Sequence, residues 1–385
     1  MAVKARKVKK IEYATDERSV INKTGIDIGF LAVVIMLVVM GLIMVFSASY
    51  PSANYRYGNG LYFITRQAIW AALGGVAMFF TAKIDYRIYK KFAVPIMIVT
   101  LVLLLLVLAS KPINGARRWL GVGSLTFQPS ELAKIGAIIF FSYILSELKK
   151  VLKDTKKTLI YILMFGGMLG LLLAEPHLSA CIIICCVFAI MLLASGFPVK
   201  YFLIAMAIIA PLGIYITLGA DYRSDRITTY LDPFADKQGD GWQIIQSLYA
   251  IGSGGFFGLG FGNSRQKFMY VSEPQNDFIF AIICEELGVI GAFTVIVLFG
   301  VLIWRGIKIA INAPDNFGSL LVLGNISLVG VQTFLNIAVV TNLIPTTGVS
   351  LPFFSAGGSS MMFLMAAMGM VLNVSTHQRR VVSVK

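Results

Sequence analysis

Uninterrupted apolar runs about 20 residues long recur along nearly the whole chain, separated by short charged or Gly- and Pro-rich clusters. A bilayer core about 30 Å thick takes about 20 helical residues to cross. By that measure the pattern predicts ten transmembrane helices, over residues 26–48, 62–82, 92–109, 131–148, 158–175, 177–195, 199–219, 277–303, 318–341 and 355–374. The runs are continuous and rich in Leu and Ile, without the strict alternation of a membrane barrel, so the expected fold is an all-α polytopic membrane protein. The break at Glu175-Pro176-His177 is so tight that a re-entrant pair is an alternative for spans five and six. What remains is a basic tail at 1–25, a ten-helix membrane domain over 26–374 and a second tail at 375–385. A separate soluble domain has no room.

Composition agrees with the pattern, and charge orients it. Of the 385 residues 57% are hydrophobic and 14% charged, where soluble domains run near a quarter. The formal net charge is nevertheless +14. Scattered over one face, such an excess would suggest nucleic-acid binding; confined to alternate loops, it marks the cytoplasmic side. The N-terminal tail, the 83–91 loop, the 149–157 loop, Lys200, Arg305, Lys308 and the C-terminal tail hold 22 of the 33 basic residues. All fall on one side of the predicted spans. Both termini are therefore expected in the cytoplasm, and nucleic acid is excluded as a partner. The first apolar run starts only near Ile26 and exceeds a signal-peptide core, so a cleavable signal is not expected. Cys181, Cys185, Cys186 and Cys284 lie inside spans without metal-site spacing. The absence of a repeated half disfavours transporters built from repeats.

The opposite, outer side carries the unusual chemistry. Its loops at 110–130 and 220–276 are long, and the second, between spans seven and eight, holds a glycine run from Gly252 to Gly262. The stretch Gln243–Ala250 reads as a short interfacial helix. Three constellations stand out. Asn114-Gly115-Ala116-Arg117-Arg118-Trp119 precedes Gln128-Pro129-Ser130-Glu131-Leu132-Ala133-Lys134. Glu131 and Lys134 are three apart, share a helix face and can pair. They are either an interfacial ion pair or functional membrane-depth charges. Arg117 and Arg118 are either anchors beside Trp119 or groups that grip phosphate. The second constellation runs Ser272-Glu273-Pro274-Gln275-Asn276-Asp277 into Glu285-Glu286-Leu287-Gly288. Asp277 there is either a helix N-cap or a general base with a tuned pKa. Glu285 and Glu286 are buried acids that need partners, so at least one should tie helices together. The third is the uncharged Pro352-Phe353-Phe354-Ser355-Ala356-Gly357-Gly358-Ser359-Ser360, which either offers backbone N–H groups to an anion or simply packs helices closely.

Together these motifs resemble the FtsW/RodA/SpoVE (SEDS) family, as do Arg226 through Asp232-Pro233 and the Gln246–Gly255 run. The resemblance spans essentially the whole membrane part, and the wording before Asp277 is closer to the FtsW/SpoVE branch. It implies a ten-span peptidoglycan glycosyltransferase that polymerises lipid II into glycan strands on the outer face of a bacterial cytoplasmic membrane, at the division septum or in sporulation. It also implies a class B penicillin-binding protein as partner, with other division proteins. The family's essential aspartate matches Asp277, its arginine before the fourth span Arg118, and its Glu/Lys pair Glu131 and Lys134. Ala356 stands where the family often has Tyr, and Cys284 where Gly or Ala is common. The expected site is therefore Asp277 as base, with Arg117, Arg118, Glu131, Lys134, Arg226, Ser355, Gly357, Gly358, Ser359 and Ser360 around the substrate. No resident cofactor is expected. A divalent cation (Mg or Mn) at the diphosphate stays open, because the sequence holds no dedicated ligand cage. Two rival readings remain: a flippase or transporter for the lipid-linked precursor, and a non-catalytic scaffold for a penicillin-binding protein.

Overall fold

The computed structural model describes residues 19–21, 25–110, 117–122, 125–200, 203, 207, 226, 228–235, 237, 239, 241–268, 270–271, 273–377 and 379–381. The expected seventh span, 199–219, lies almost wholly outside the described residues, as do Asn114–Ala116 and Ser272. Eleven helices are found among the described residues: α1 (Ile28–Tyr57), α2 (Tyr62–Lys83), α3 (Arg87–Leu108), α4 (Pro129–Ser146), α5 (Leu148–Lys153), α6 (Thr155–Ala174), α7 (Leu178–Ala194), α8 (Trp242–Gly254), α9 (Ile279–Ile311), α10 (Asn316–Val340) and α11 (Ser359–Ser375). Seven of them are long and apolar enough to cross a membrane; α7 and α11 are apolar but shorter. The two tails meet in an antiparallel ladder between β1 (Ser19–Ile21) and β4 (Arg379–Val381), with Val20 opposite Arg380. A second small ladder, β2 (Leu120–Val122) with β3 (Leu125–Phe127), precedes α4.

Two helix starts differ from the hydropathy reading for physical reasons. Helix α3 begins at Arg87 rather than 92, because Arg87, Lys90 and Lys91 are good helix formers that an apolar window excludes. Helix α11 begins at Ser359 rather than 355, because Phe353 adopts φ 66° and Gly358 φ 30°, which holds the preceding segment in a turn. That turn packs on α1 at Gly41, where a Cβ would lie 2.1 Å from the Phe353 carbonyl oxygen.

Helix α9 is the unusual element. Its 33 residues would span about 50 Å at 1.5 Å per residue, well beyond the bilayer core. The excess is taken up by a break at Gly288 (φ 65°, ψ −162°), which leaves 289–311 to cross and 279–287 as a separate buried segment. The α8–α9 connection repairs the break. The carbonyls of Glu285 and Glu286 accept from Leu259 and Gly260, and the amides of Val289 and Ile290 donate to Gly255 and Phe256. Buried backbone groups released by a kink must find such partners.

The same place carries a cluster of buried charges. Lys267 Nζ donates to Glu286 Oε1 (2.8 Å), to Ser47 of α1 (3.2 Å) and to the Gly262 carbonyl (2.6 Å). Ser47 Oγ donates to Glu286 as well. Glu285 accepts from Ser264 Oγ and from the Arg265 amide (2.9 Å). The expectation that one of these acids ties helices together is met by Glu286 and Ser47. At the opposite, Asp315 end, Tyr86 Oη donates to Asp315, and Lys90 pairs with Glu147 at 2.8 Å.

Candidate active site

Four helix N-termini converge at the Asp277 end: those of α4, α7, α9 and α11. Their first residues, or those just before them, line one cavity of about 210 Å³ that includes Arg118, Glu131, Lys134, His177, Ser179, Asp277, Ser355, Gly357 and Ser360. Each N-terminus carries a partial positive charge, so the cavity favours an anion before any side chain is counted. A second cavity of about 520 Å³ shares Arg118, His177, Ser179, Asp277 and Gly348 with the first and continues along Pro176, Leu178, Ile182, Leu335, Ile344 and Pro345. A polar chamber thus opens directly into a mainly apolar one.

The side chains divide into held and unheld. Lys134 Nζ donates to Glu131 Oε1 at 2.8 Å, and Ser360 Oγ donates to Glu131 Oε2 at 2.9 Å. The i, i+3 pair expected from the sequence is therefore present, buried, and bridged to α11. Ser355 Oγ donates to the Asn276 carbonyl at 2.7 Å and accepts from the Leu351 amide at 2.8 Å. Asn336 Nδ2 donates to the carbonyls of both Asp277 and Val349 at 2.7 Å. The backbone of Asp277 is consequently clamped, while its carboxylate makes no hydrogen bond or ion pair among the described residues. Nor does it cap α9: Phe278 is the N-cap and no side chain caps this end. The N-cap alternative therefore falls.

Burial pushes the Asp277 carboxyl up to about 6, with a contribution from Glu273 and opposition from Arg226. At neutral pH it is ionised yet basic enough to take a proton. Burial also raises Glu175 to about 8, against Arg118. The His177 imidazole is lowered to about 3 by burial and by the cations Arg118 and Lys134, so it is neutral.

Arg118 and Arg117 part company. Arg118 Nε donates to the Glu175 carbonyl at 3.2 Å, another of its nitrogens donates to the Pro176 carbonyl, and the side chain lines both cavities. Arg117 instead donates to the Leu108 carbonyl at 2.8 Å, is exposed, and does not line either cavity. Arg226 lines the larger cavity and donates to the Thr346 carbonyl at 2.7 Å. Gly358 faces Trp70 and Ser359 Oγ accepts from the Gln128 amide at 3.2 Å, so both shape the turn rather than line the chamber. His177, Ser179, Gln332 and Asn336 were not singled out from the sequence. A readable signal existed for each pair: the polar break Glu175-Pro176-His177, and two amides four apart in an apolar run.

Several buried polar atoms near this cavity have no partner among the described residues: His177 Nδ1, Ser130 Oγ, Gln275 Oε1, Asn336 Oδ1, Thr347 Oγ1 and both Glu175 oxygens. Such groups are rare in folded proteins and collect where a ligand or water belongs. Among the described residues no three His, Cys, Asp or Glu side chains cluster as metal ligands. The donor set, one unpaired carboxylate beside two cations, fits an anion held by the protein better than a resident divalent cation.

Comparison with known proteins agrees over nearly the full length. The chain is 42% identical over 364 residues to stage V sporulation protein E of Bacillus subtilis, covering 93% of this chain and 99% of that one. It is 40% identical over 360 residues to a probable peptidoglycan glycosyltransferase FtsW of Geobacter sp. strain M18, covering 92% and 98%. Among solved structures, one of a peptidoglycan synthase complex, concerned with polymerization and crosslinking, matches with TM-score 0.74 at 29% identity, covering 91% of this chain and 97% of that one. The rod shape determining protein RodA of Thermus thermophilus matches with TM-score 0.67 at 26% identity, covering 92% and 98%. The pattern of the FtsW/RodA/SpoVE cell cycle proteins matches residues 28–380, and with these full-length relatives it shows that the chain belongs to that family.

Proposed function

We propose that the protein is a peptidoglycan glycosyltransferase that polymerises lipid II, with Asp277 as the general base. The observation that carries the reading is the unpaired, backbone-clamped carboxylate of Asp277, which lines one cavity together with Arg118 and Lys134. The reaction joins an acceptor sugar hydroxyl to the anomeric carbon of a sugar carried on polyprenyl diphosphate. A C–O bond forms to the acceptor, the bond from the anomeric carbon to the diphosphate oxygen breaks, and the hydroxyl proton passes to Asp277. Charge grows on the departing diphosphate, where Arg118, Lys134 and the four helix N-termini stabilise it. Arg226, Ser355, Gly357 and Ser360 border the sugar or phosphate groups. The apolar extension of the cavity suits the start of the lipid chain. A divalent cation bound with the diphosphate would add further charge neutralisation; the residues described do not hold one by themselves.

The one-sided placement of every such group supports a polymerase over a flippase, which needs polar groups along a path through the bilayer. The basic ends of α3, α5 and α9 support an outward-facing site in a bacterial cytoplasmic membrane, by the positive-inside rule. The similarity to a synthase complex supports a penicillin-binding protein as partner. The test is purified protein with labelled lipid II and a partner whose transpeptidase serine is inactivated. Glycan polymer is expected from the wild type and none from Asp277→Asn. Polymer at wild-type rate from Asp277→Asn would sink the base assignment, and no polymer from the wild type would return the flippase or scaffold reading.

A further inference from the structure

The Asp315 end of the bundle carries a cavity unrelated to the one above. It has a volume of about 650 Å³ and lies between the first turns of α3 (Arg87, Lys90, Lys91), the last turn of α4 (Tyr143, Ser146) and the start of α10. Fifteen residues of helix separate Ser146 from Glu131 along α4, or about 22 Å, so the two cavities are at opposite ends of the molecule. The positive-inside reading makes this the cytoplasmic end.

Three cations and one carboxylate, Asp315, line the wall. Arg87 Nε approaches Asp315 only to 3.7 Å, and Asp315 is already engaged by Tyr86 Oη and by the Gly318 amide. Asp85 accepts only from the Arg87 backbone amide, and the Arg87 guanidinium lies over the Tyr86 ring, 5.5 Å from its centroid, at the edge of the cavity. Lys90 is spent on Glu147, which Lys150 also contacts at 2.7 Å. Lys91 is exposed, and no ion pair is found for it among the described residues. The cavity therefore offers a forked guanidinium and a free ammonium one turn apart on the same helix. That pairing suits a phosphate monoanion or diester.

The surface beside the cavity decides which phosphate. Phe317 is buried in its wall, and outside the lining, next to the cations on α3, Ile88 and Phe92 are 42% and 54% exposed. A soluble phosphate has no use for that apolar surface. A phospholipid has: its headgroup would meet Arg87 and Lys91 while its acyl chains follow Ile88 and Phe92 into the hydrocarbon. Basic pockets between membrane helices on the cytoplasmic side bind anionic headgroups in this way. We infer that this cavity is a binding site for one anionic phospholipid of the inner leaflet. The inference is independent of the proposed polymerase activity.

The experiment is lipid retention by full-length protein exchanged into phosphatidylglycerol or phosphatidylcholine nanodiscs, extracted in detergent and read by native mass spectrometry. One retained phosphatidylglycerol per protein is expected, with phosphatidylcholine retained at least fivefold less. Arg87→Gln/Lys91→Gln should lose that retention at least fivefold. Lys156→Gln/Lys157→Gln, which removes the same charge from exposed positions on α6, should keep it. Equal retention of the two lipids, or equal loss in both double variants, overturns the site. So does displacement of the lipid by millimolar inorganic phosphate, which would assign the cavity to a soluble anion. Should the first double variant fail to elute as a monodisperse species, Lys91→Gln alone replaces it, with at least a twofold loss expected and unchanged retention counting against the inference.

Discussion

Two sets of buried acids lie close together in sequence around the start of α9, and the structure treats them oppositely. Glu285 and Glu286 are fully buried, and each is answered: Glu285 by Ser264 and the Arg265 amide, Glu286 by Lys267 and Ser47. Asp277 is only half-buried, yet its carboxylate has no partner among the described residues, and its backbone carbonyl is fixed by Asn336. Burial alone does not separate an acid committed to the fold from one left unengaged. Partnership does: a satisfied carboxylate is committed to the fold, whereas an unsatisfied one held in place is free for a substrate. Glu131 stands between them, committed to Lys134 and Ser360 but exposed to the cavity through its neighbours.

The strongest way to break this contrast is to remove each acid in turn. Asp277→Asn keeps shape and removes the proposed base, so turnover of labelled lipid II should fall by about 10²–10⁴-fold with little loss of folded protein. Lys267→Met should do the reverse. It strands Glu286 as a buried unpaired charge, and thermal unfolding in detergent should show a loss of about 3–5 kcal/mol. The double variant Lys267→Met/Glu286→Leu should recover much of that loss, because an apolar pair of similar volume asks for no desolvation. If Lys267→Met instead abolished turnover without lowering the unfolding temperature, the buried cluster would be catalytic and the contrast would collapse.

A smaller effect sharpens the same distinction among the cations. Arg118 lines both cavities and Arg117 reaches the end of α3. Losing a charge-assisted hydrogen bond to a phosphate is worth about 1.5–3 kcal/mol. Arg118→Ala should therefore lower kcat/KM about 10–100-fold, and Arg117→Ala less than about threefold. Equal losses would mean that the two arginines act as a general positive field, with no specific grip on the diphosphate.

How far the sequence anticipated this depends on the range of the interaction. Apolar runs located nine of the expected spans as helices because a membrane helix is satisfied within itself, so the signal is local. Glu131 and Lys134 were legible for the same reason, being one turn apart. Arg117 and Arg118 were not separable, since adjacent residues point in different directions and only the distant carbonyls of Glu175 and Pro176, which accept from Arg118, decide which meets the cavity. The break at Gly288 was invisible too. It exists because the 255–260 segment supplies backbone partners from another part of the chain, and no local pattern announces that. His177 and Asn336 were missed because each reads as a stray polar residue until four helix ends are brought together.

The finest test uses the ionisation of Asp277 itself. Its folded pKa, about 6, lies above the 3.8 of a free aspartate because burial disfavours the charge. Below about pH 4 the group is protonated in both folded and unfolded chains, and it contributes nothing against the fold. Between these values the unfolded chain ionises first, and above pH 6 the folded protein carries the whole penalty, of order 1–3 kcal/mol. Asp277→Asn cannot ionise. The variant and the wild type should therefore unfold at the same temperature near pH 4, and the variant should be the more stable above pH 6. Activity of the wild type should run the other way, rising as pH increases through about 6 as the base loses its proton. Opposite trends in stability and turnover across one pH window follow only if the same carboxylate is both destabilised by the fold and used by the reaction. A stability difference that does not change with pH would mean that the Asp277 carboxylate is solvated, and the contrast with Glu285 and Glu286 would then rest on hydrogen bonding alone.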